Sequence, residues 1–135
     1  QGERLVRVPA GVVRALRGAA IPAHQAQVFD LEAMTEPRGR MVFRDAAVLE
    51  WQPGLVTLSF LEGGTGRTLR RVALEKLDSL RILGDSSSLE IFLNDGQQVL
   101  STRYYPQPEA QGIAITGAQA RVWEMGAMQV TQAEL

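Results

Sequence analysis

Asp85 and Glu90 are the carboxylates best placed to do acid–base chemistry. Two carboxylates about 5–5.5 Å apart can act as acid and nucleophile on a glycosidic bond. The local sequence argues for quieter roles. Asp85 opens Asp85-Ser86-Ser87-Ser88, where Asp and Ser side chains bond nearby backbone N–H groups and stabilise a turn. Glu90 lies in Leu89-Glu90-Ile91-Phe92-Leu93, apolar on both faces, which reads as a central strand. A carboxylate there needs a partner, and Arg103 on the returning strand is the candidate. Trp51, Trp123, Tyr104 and Tyr105 could stack on the apolar faces of sugars. Trp51 precedes the Pro53-Gly54 turn and is the candidate sugar contact; Trp123 reads as core. His24 follows Ile21-Pro22-Ala23 in a loop and is the only histidine. Gly63-Gly64-Thr65-Gly66-Arg67 has neither the lysine nor the following helix of a phosphate loop and reads as a hairpin loop. Arg70-Arg71 points both ways on a strand, so it is no basic patch.

Composition closes further routes. The 135 residues hold no cysteine and one histidine, so thiolate metal sites, disulfides and multi-histidine zinc sites are excluded. Lys and Arg total 14 against 15 Asp and Glu, a net charge of −1. No phosphate-binding surface for nucleic acid is expected, and no apolar run approaches a membrane span. The length suits one domain with its own core. The chain begins at Gln1 rather than Met, which reads as a piece of a longer protein or a processed one.

The elements that must carry these residues are short and alternating. Gly, Pro and Asn-Asp-Gly signals break the chain into strand-length segments. Strands are predicted over 27–34, 41–51, 55–61, 68–74, 80–83, 89–93, 99–105, 112–115 and 120–125. Val12–Arg17 fits either a helical turn or an edge strand. Roughly nine to eleven short strands predict an all-β fold: an antiparallel two-sheet β-sandwich of jelly-roll or concanavalin-like lectin type. Residues 80–106 predict a three-strand meander. Asn94-Asp95-Gly96 is its hairpin turn, because these residues tolerate positive φ, and Pro106 closes the ladder.

That meander carries a family resemblance. Asp85-x-Ser87-Ser88-x-Glu90-x-Phe92-x-Asn94-Asp95-Gly96, followed by Ser101-Thr102-Arg103 and Tyr105-Pro106, resembles the C-terminal β-sandwich of glycoside hydrolase family 32. The segment 5–18, with Val8-Pro9 and Val13 to Arg17, is similar to the stretch that enters such a sandwich. The segment 115–125, with Trp123, is similar to its last strand. Two positions depart from the pattern: Ser86 stands where arginine is common, and Gly84 where a β-branched residue is usual. The resemblance implies residues 1–18 as the connection from a catalytic module plus a first strand, and residues 19–135 as the sandwich. It implies Asp85, Ser87, Glu90, Phe92, Asn94, Asp95, Gly96 and Arg103 as family-motif residues with structural or inter-domain roles.

In that family the chemistry belongs to a five-bladed propeller with Asn-Asp-Pro-Asn, Arg-Asp-Pro and Glu-Cys motifs. None of them occurs here, so no catalytic residue is assigned. The implied function is an accessory module of a retaining β-fructofuranosidase acting on sucrose, sucrose 6-phosphate or fructans. No metal or organic cofactor is implied. The implied partner is the propeller of the same polypeptide, with sugar ligands and a homodimer as further candidates. The alternatives are a stand-alone lectin-like carbohydrate-binding module and a structural dimerisation sandwich. Localisation is left open, since the parent could be cytoplasmic or secreted.

Overall fold

The structure is a computed structural model and describes residues 19–61 and 68–125. The predicted connecting segment 1–18, including Val12–Arg17, and the predicted hairpin loop Gly63–Arg67 therefore lie outside the described residues.

The described residues form eight strands: β1 (Phe29–Phe43), β2 (Ala47–Gln52), β3 (Gly54–Phe60), β4 (Thr68–Leu74), β5 (Ser79–Gly84), β6 (Ser88–Leu93), β7 (Gln98–Arg103) and β8 (Ile113–Glu124). A 3-10 turn, Ala23–Gln25, precedes them. All strand pairs are antiparallel, in the order β4-β3-β2-β1-β5-β6-β7. β8 pairs along the other side of β1.

The ends of β1 serve different neighbours. Phe29 to Met34 pair with β5, and Gly39 to Phe43 pair with β2. Fifteen residues of straight strand would carry Phe43 about 46 Å from Phe29. Instead their rings stack with centroids 6.3 Å apart and planes 1° from parallel. The β1–β8 ribbon therefore folds back on itself. It supplies one edge to each of two half-sheets and makes them a sandwich.

The fold-back sits where the β1–β8 register slips, between Thr35 and Arg40. Pro37 donates no ladder hydrogen bond, Gly39 packs under the Trp51 ring, and Gly117 takes φ 79°. A Cβ at Gly39 would meet the Trp51 ring and the Thr116 carbonyl oxygen, the latter at 2.6 Å. A Cβ at Gly117 would run into the Arg38 carbonyl. The bend is thus a site of backbone-on-backbone approach that only glycine permits.

Two predicted segment boundaries shift for this reason. Segments 27–34 and 41–51 were expected to be separate strands with a turn at Pro37-Arg38-Gly39, yet β1 runs through it. The predicted segments 112–115 and 120–125 likewise join as β8 through Gly117. The real break falls inside 41–51. Arg44 (φ 51°) and Asp45 (φ 56°) form a left-handed turn closed by Ala46 N–H donating to the Phe43 carbonyl at 2.9 Å.

The core lies between the half-sheets. β1, β5 and β6 contribute Phe29, Leu31, Ile82, Leu89, Ile91 and Leu93 from one side. Met41, Phe43, Leu49, Trp51, Val56 and Leu58 come from the other. Each fully buried Leu, Ile or Phe contributes about 1.5–3 kcal/mol. This interior suits the all-β reading, since each strand shows one apolar face to it.

Candidate functional site

The motif hairpin holds its shape through backbone and turn chemistry. Asp85 N–H donates to the Ser88 carbonyl at 2.9 Å, and Ser86 N–H donates to Asp85 Oδ1 at 2.7 Å. The Ser87 carbonyl accepts Tyr104 N–H at 3.0 Å. Asp85 thus spends a carboxylate oxygen on its own turn. Glu90 and Phe92 face outward on β6, half-buried, opposite Ser101 and Val99 of β7. Arg103 is exposed and sits opposite Ser88, one diagonal step from Glu90 on the same face.

Asn94 is the most connected member of the motif. Its backbone takes φ 51°, followed by Asp95 at 59° and Gly96 at 89°. Its Oδ1 accepts the N–H groups of Asp78 at 2.7 Å and Ser79 at 3.2 Å. Its Nδ2 donates to the Lys76 carbonyl at 2.8 Å and to Gln97 Oε1 at 3.2 Å. One side chain therefore ties the β6–β7 hairpin to the β4–β5 connection. Asn94→Ala is expected to cost about 2–3 kcal/mol, with Asn94→Asp milder because it keeps the acceptor. Urea unfolding of the three proteins checks this.

The aromatic candidates divide sharply. Trp51, the candidate sugar contact, is 3% exposed, and its Nε1 donates to the Glu36 carbonyl at 2.9 Å. It therefore offers no face to a sugar. Its register partners Gly39 and Val56 face the interior, and it shares that face of β2 with Leu49. Trp123 was expected in the core but is half-buried on the outer face, across from Asp30, while Val122 points inward. Tyr105 is 69% exposed. His24 is exposed, and Gly112 packs on its backbone.

Tyr104 is fully buried, and its hydroxyl meets no hydrogen-bond partner in good geometry among the described residues. Burial pushes its ionisation above the usual 10.0; the nearby Arg44 guanidinium opposes this and Asp85 adds to it. Arg44 is itself buried. Its Nε donates to the Ala110 carbonyl at 2.8 Å and its Nη2 to the Gln107 carbonyl at 3.5 Å, holding the strap from β7 to β8. Because the folded state keeps the Tyr104 proton longer than the unfolded chain, its contribution is complete below pH 10 and is lost as pH rises through the raised value. Tyr104→Phe is expected to change neutral stability by less than about 1 kcal/mol and to flatten the alkaline loss. Thermal melts from pH 7 to 11 would show it.

The outer face of the β8-β1-β5 layer holds the features the sequence did not announce. Arg81 clamps Asp30 with Nε to Oδ1 at 3.2 Å and Nη2 to Oδ2 at 2.9 Å. Asp30 is fully buried and the Arg81 side chain is 15% exposed. One rung along, Arg121, Glu32 and Arg81 line up across β8, β1 and β5. The next rung is Gln119, Met34 and Ser79. These two rungs border a groove of about 550 Å³, with Asp95 of the hairpin tip at its rim. No trio of His, Asp or Glu among the described residues could hold a metal ion.

The described residues thus form a sandwich with a tied hairpin and a polar outer face. The family model described as glycosyl hydrolases family 32 C terminal matches residues 56–131, more than half of the chain. The chain belongs to this family. Sucrose-6-phosphate hydrolase of Escherichia coli is 43% identical over 56 residues, covering 36% of this chain and 12% of that protein. The Bacillus subtilis (strain 168) sucrose-6-phosphate hydrolase is 27% identical over 126 residues, covering 79% of this chain and 26% of that protein. The chain thus spans about a quarter or less of these curated relatives. Among solved structures, sucrose-6-phosphate hydrolase from Lactobacillus gasseri superposes with a TM-score of 0.70 at 21% identity, over 89% of this chain and 30% of that one. Exo-inulinase from Aspergillus awamori gives a TM-score of 0.63 at 12% identity, over 82% and 28%. These likenesses show the fold, and the family 32 C-terminal β-sandwich is the architecture they share with this chain.

Proposed function

We propose that this chain is the accessory C-terminal sandwich of a family 32 hydrolase acting on β-fructofuranosides. It stabilises the catalytic propeller and shapes access to its cleft. The coverage carries this reading: most of this chain aligns with less than a third of an intact sucrose-6-phosphate hydrolase. A module of that share, built around a tied hairpin and a folded ribbon, suits a support for chemistry performed elsewhere. The family-motif residues fit such a role. Asn94 and Gly96 shape the hairpin, Asp85 and Ser87 hold the preceding turn, and Glu90, Phe92 and Arg103 lie on its outward face.

The parent reaction would be retaining hydrolysis of terminal fructosyl bonds, with the nucleophile and acid on the propeller. The test is hydrolysis of sucrose, sucrose 6-phosphate and inulin by this chain alone and by the whole polypeptide its gene encodes. Fructose release by the whole polypeptide and none by this chain is expected. Release by this chain alone would overturn the reading.

A further inference from the structure

From the open edge of β7 we infer an interface between two copies of this chain. Their β7 strands pair antiparallel about a two-fold axis at Ser101 and join two half-sheets into one. The inference concerns a surface of this chain and does not rest on the fructoside reading.

The backbone sets the register. β7 pairs with β6 on one side and with no strand among the described residues on the other. Tyr104 N–H donates to the Ser87 carbonyl at 3.0 Å, and hydrogen-bonded pairs alternate along an antiparallel ladder. Thr102, Leu100 and Gln98 therefore spend their backbone groups on β6, while Val99, Ser101 and Arg103 turn theirs to the open edge. Val99 is 43% exposed, and Ser101 and Arg103 are exposed as well. A two-fold axis at Ser101 sets that residue against its own copy, and Val99 against the second copy's Arg103. Each such pair exchanges two backbone hydrogen bonds. The Arg103 carbonyl accepts the Thr102 hydroxyl at 3.0 Å and keeps a second lone pair for the seam.

The other edges are guarded and this one is not. Charge, proline, bulges or cover keep a sheet edge from pairing. β4 carries the adjacent, exposed Arg70 and Arg71, so self-pairing about its centre would set like charges together. Its register with β3 also slips between Leu58 and Ser59. The far end of β8 meets Ala20 at Trp123 and its course bends at Gly117, which leaves a short open stretch. β7 has six residues in unbroken register with β6, no proline, and one charge, Arg103, at its end. About the Ser101 axis the two Arg103 residues stand four residue rises apart, roughly 13 Å, beyond the screening length of physiological salt. Each lies instead beside the second copy's Val99, where its methylene stem covers exposed apolar surface. A seam of this length buries on the order of 500 Å², below the ~1,000 Å² of a stable interface, so the dimer is weak and concentration-dependent.

The test is sedimentation of this chain, and of the whole polypeptide that carries it, over a concentration series. Both are expected to dimerise with a dissociation constant on the order of 0.1–1 mM. Ser101→Pro removes an N–H that faces the open edge and spares the β6 ladder, so it should weaken the dimer about tenfold or more. Val99→Lys sets a second cation against the second copy's Arg103 and should do the same without touching the backbone. Thermal melts verify that each variant is folded. The chain has no cysteine of its own, so Ser101→Cys reads the axis directly. Hydrogen-bonded antiparallel partners hold their Cα atoms about 5.5 Å apart, within the span of a disulfide. Mild oxidation should link Ser101→Cys copies at least about tenfold faster than Arg71→Cys copies on β4. A pure monomer at about 1 mM overturns the proposal, as does association unchanged in both Ser101→Pro and Val99→Lys, or equal cross-linking of the two cysteine variants. Amide protection of Val99, Ser101 and Arg103 in the whole polypeptide that does not vary with concentration would also overturn it, by showing that another part of the same polypeptide covers this edge. None of these failures touches the accessory-module reading, which stands or falls on where the hydrolytic activity resides.

Discussion

Replacing Gly117 by alanine is expected to destabilise the sandwich by about 3 kcal/mol or more. Two costs add. The residue holds φ 79°, which costs an L side chain about 1–2 kcal/mol. The new Cβ also meets the Arg38 carbonyl oxygen and Gly39 Cα, which are backbone atoms and cannot swing aside like a flexible side chain. Relief requires the ribbon to open at its bend, and the bend brings the half-sheets together. Phe29–Phe43 stacking should loosen with it. Calorimetry should place the Gly117→Ala midpoint roughly 10 °C below the parent. Gly96→Ala is a useful contrast, because it shares a positive φ (89°) but a Cβ there meets nothing within 4 Å. It should cost about 1–2 kcal/mol, the conformational part alone. Equal losses in the two variants would show that the close approach at the bend contributes nothing.

The second large effect is expected at Arg81. Asp30 is fully buried on a face away from the core, and Arg81 supplies two charge-assisted hydrogen bonds to it. Taking away one partner of a buried pair costs about 3–5 kcal/mol, because the remaining charge stays desolvated. Arg81→Ala should therefore destabilise strongly. Arg81→Met combined with Asp30→Leu should recover much of the loss, since neither charge is then buried. The pair would then be a specifier of geometry rather than a source of net stability, a role consistent with its place under the groove. Chemical denaturation of the single and double variants measures the coupling directly. A double variant no more stable than Arg81→Ala would show that the pair matters through packing and not charge.

The parts of this molecule legible from sequence were those governed by local chemistry. Asn94-Asp95-Gly96 announced a hairpin because three residues that tolerate positive φ follow one another, and the turn is there. The alternation around Leu89–Leu93 announced a strand with an inward face, and Leu89, Ile91 and Leu93 are buried. The family motif stood in the same stretch, so the family was legible too.

Features set by distant partners were not. Pro37-Arg38-Gly39 has the local chemistry of a turn, yet pairing with β8 on both sides of it carries β1 through a bend instead. Arg44 and Asp45 adopt left-handed backbone without a glycine to advertise it. That turn is closed by contacts to residues 107, 110 and 112, which no short window contains. Trp51 lies next to a turn in sequence, but its alternation with Leu49 in β2 points it inward. The Asp30–Arg81 clamp joins residues far apart in sequence, and only the β1–β5 register brings them near each other.

One measurement bears most directly on the claim that this chain supports a catalytic module. It is the thermal inactivation half-life of the whole polypeptide, compared with a form lacking residues 19–125 and with the Gly117→Ala form. On the proposed function, the truncated protein should lose its fructoside-hydrolysing activity at least about tenfold faster, or fail to stay soluble, with Gly117→Ala in between. Identical half-lives and identical turnover in all three would contradict the account.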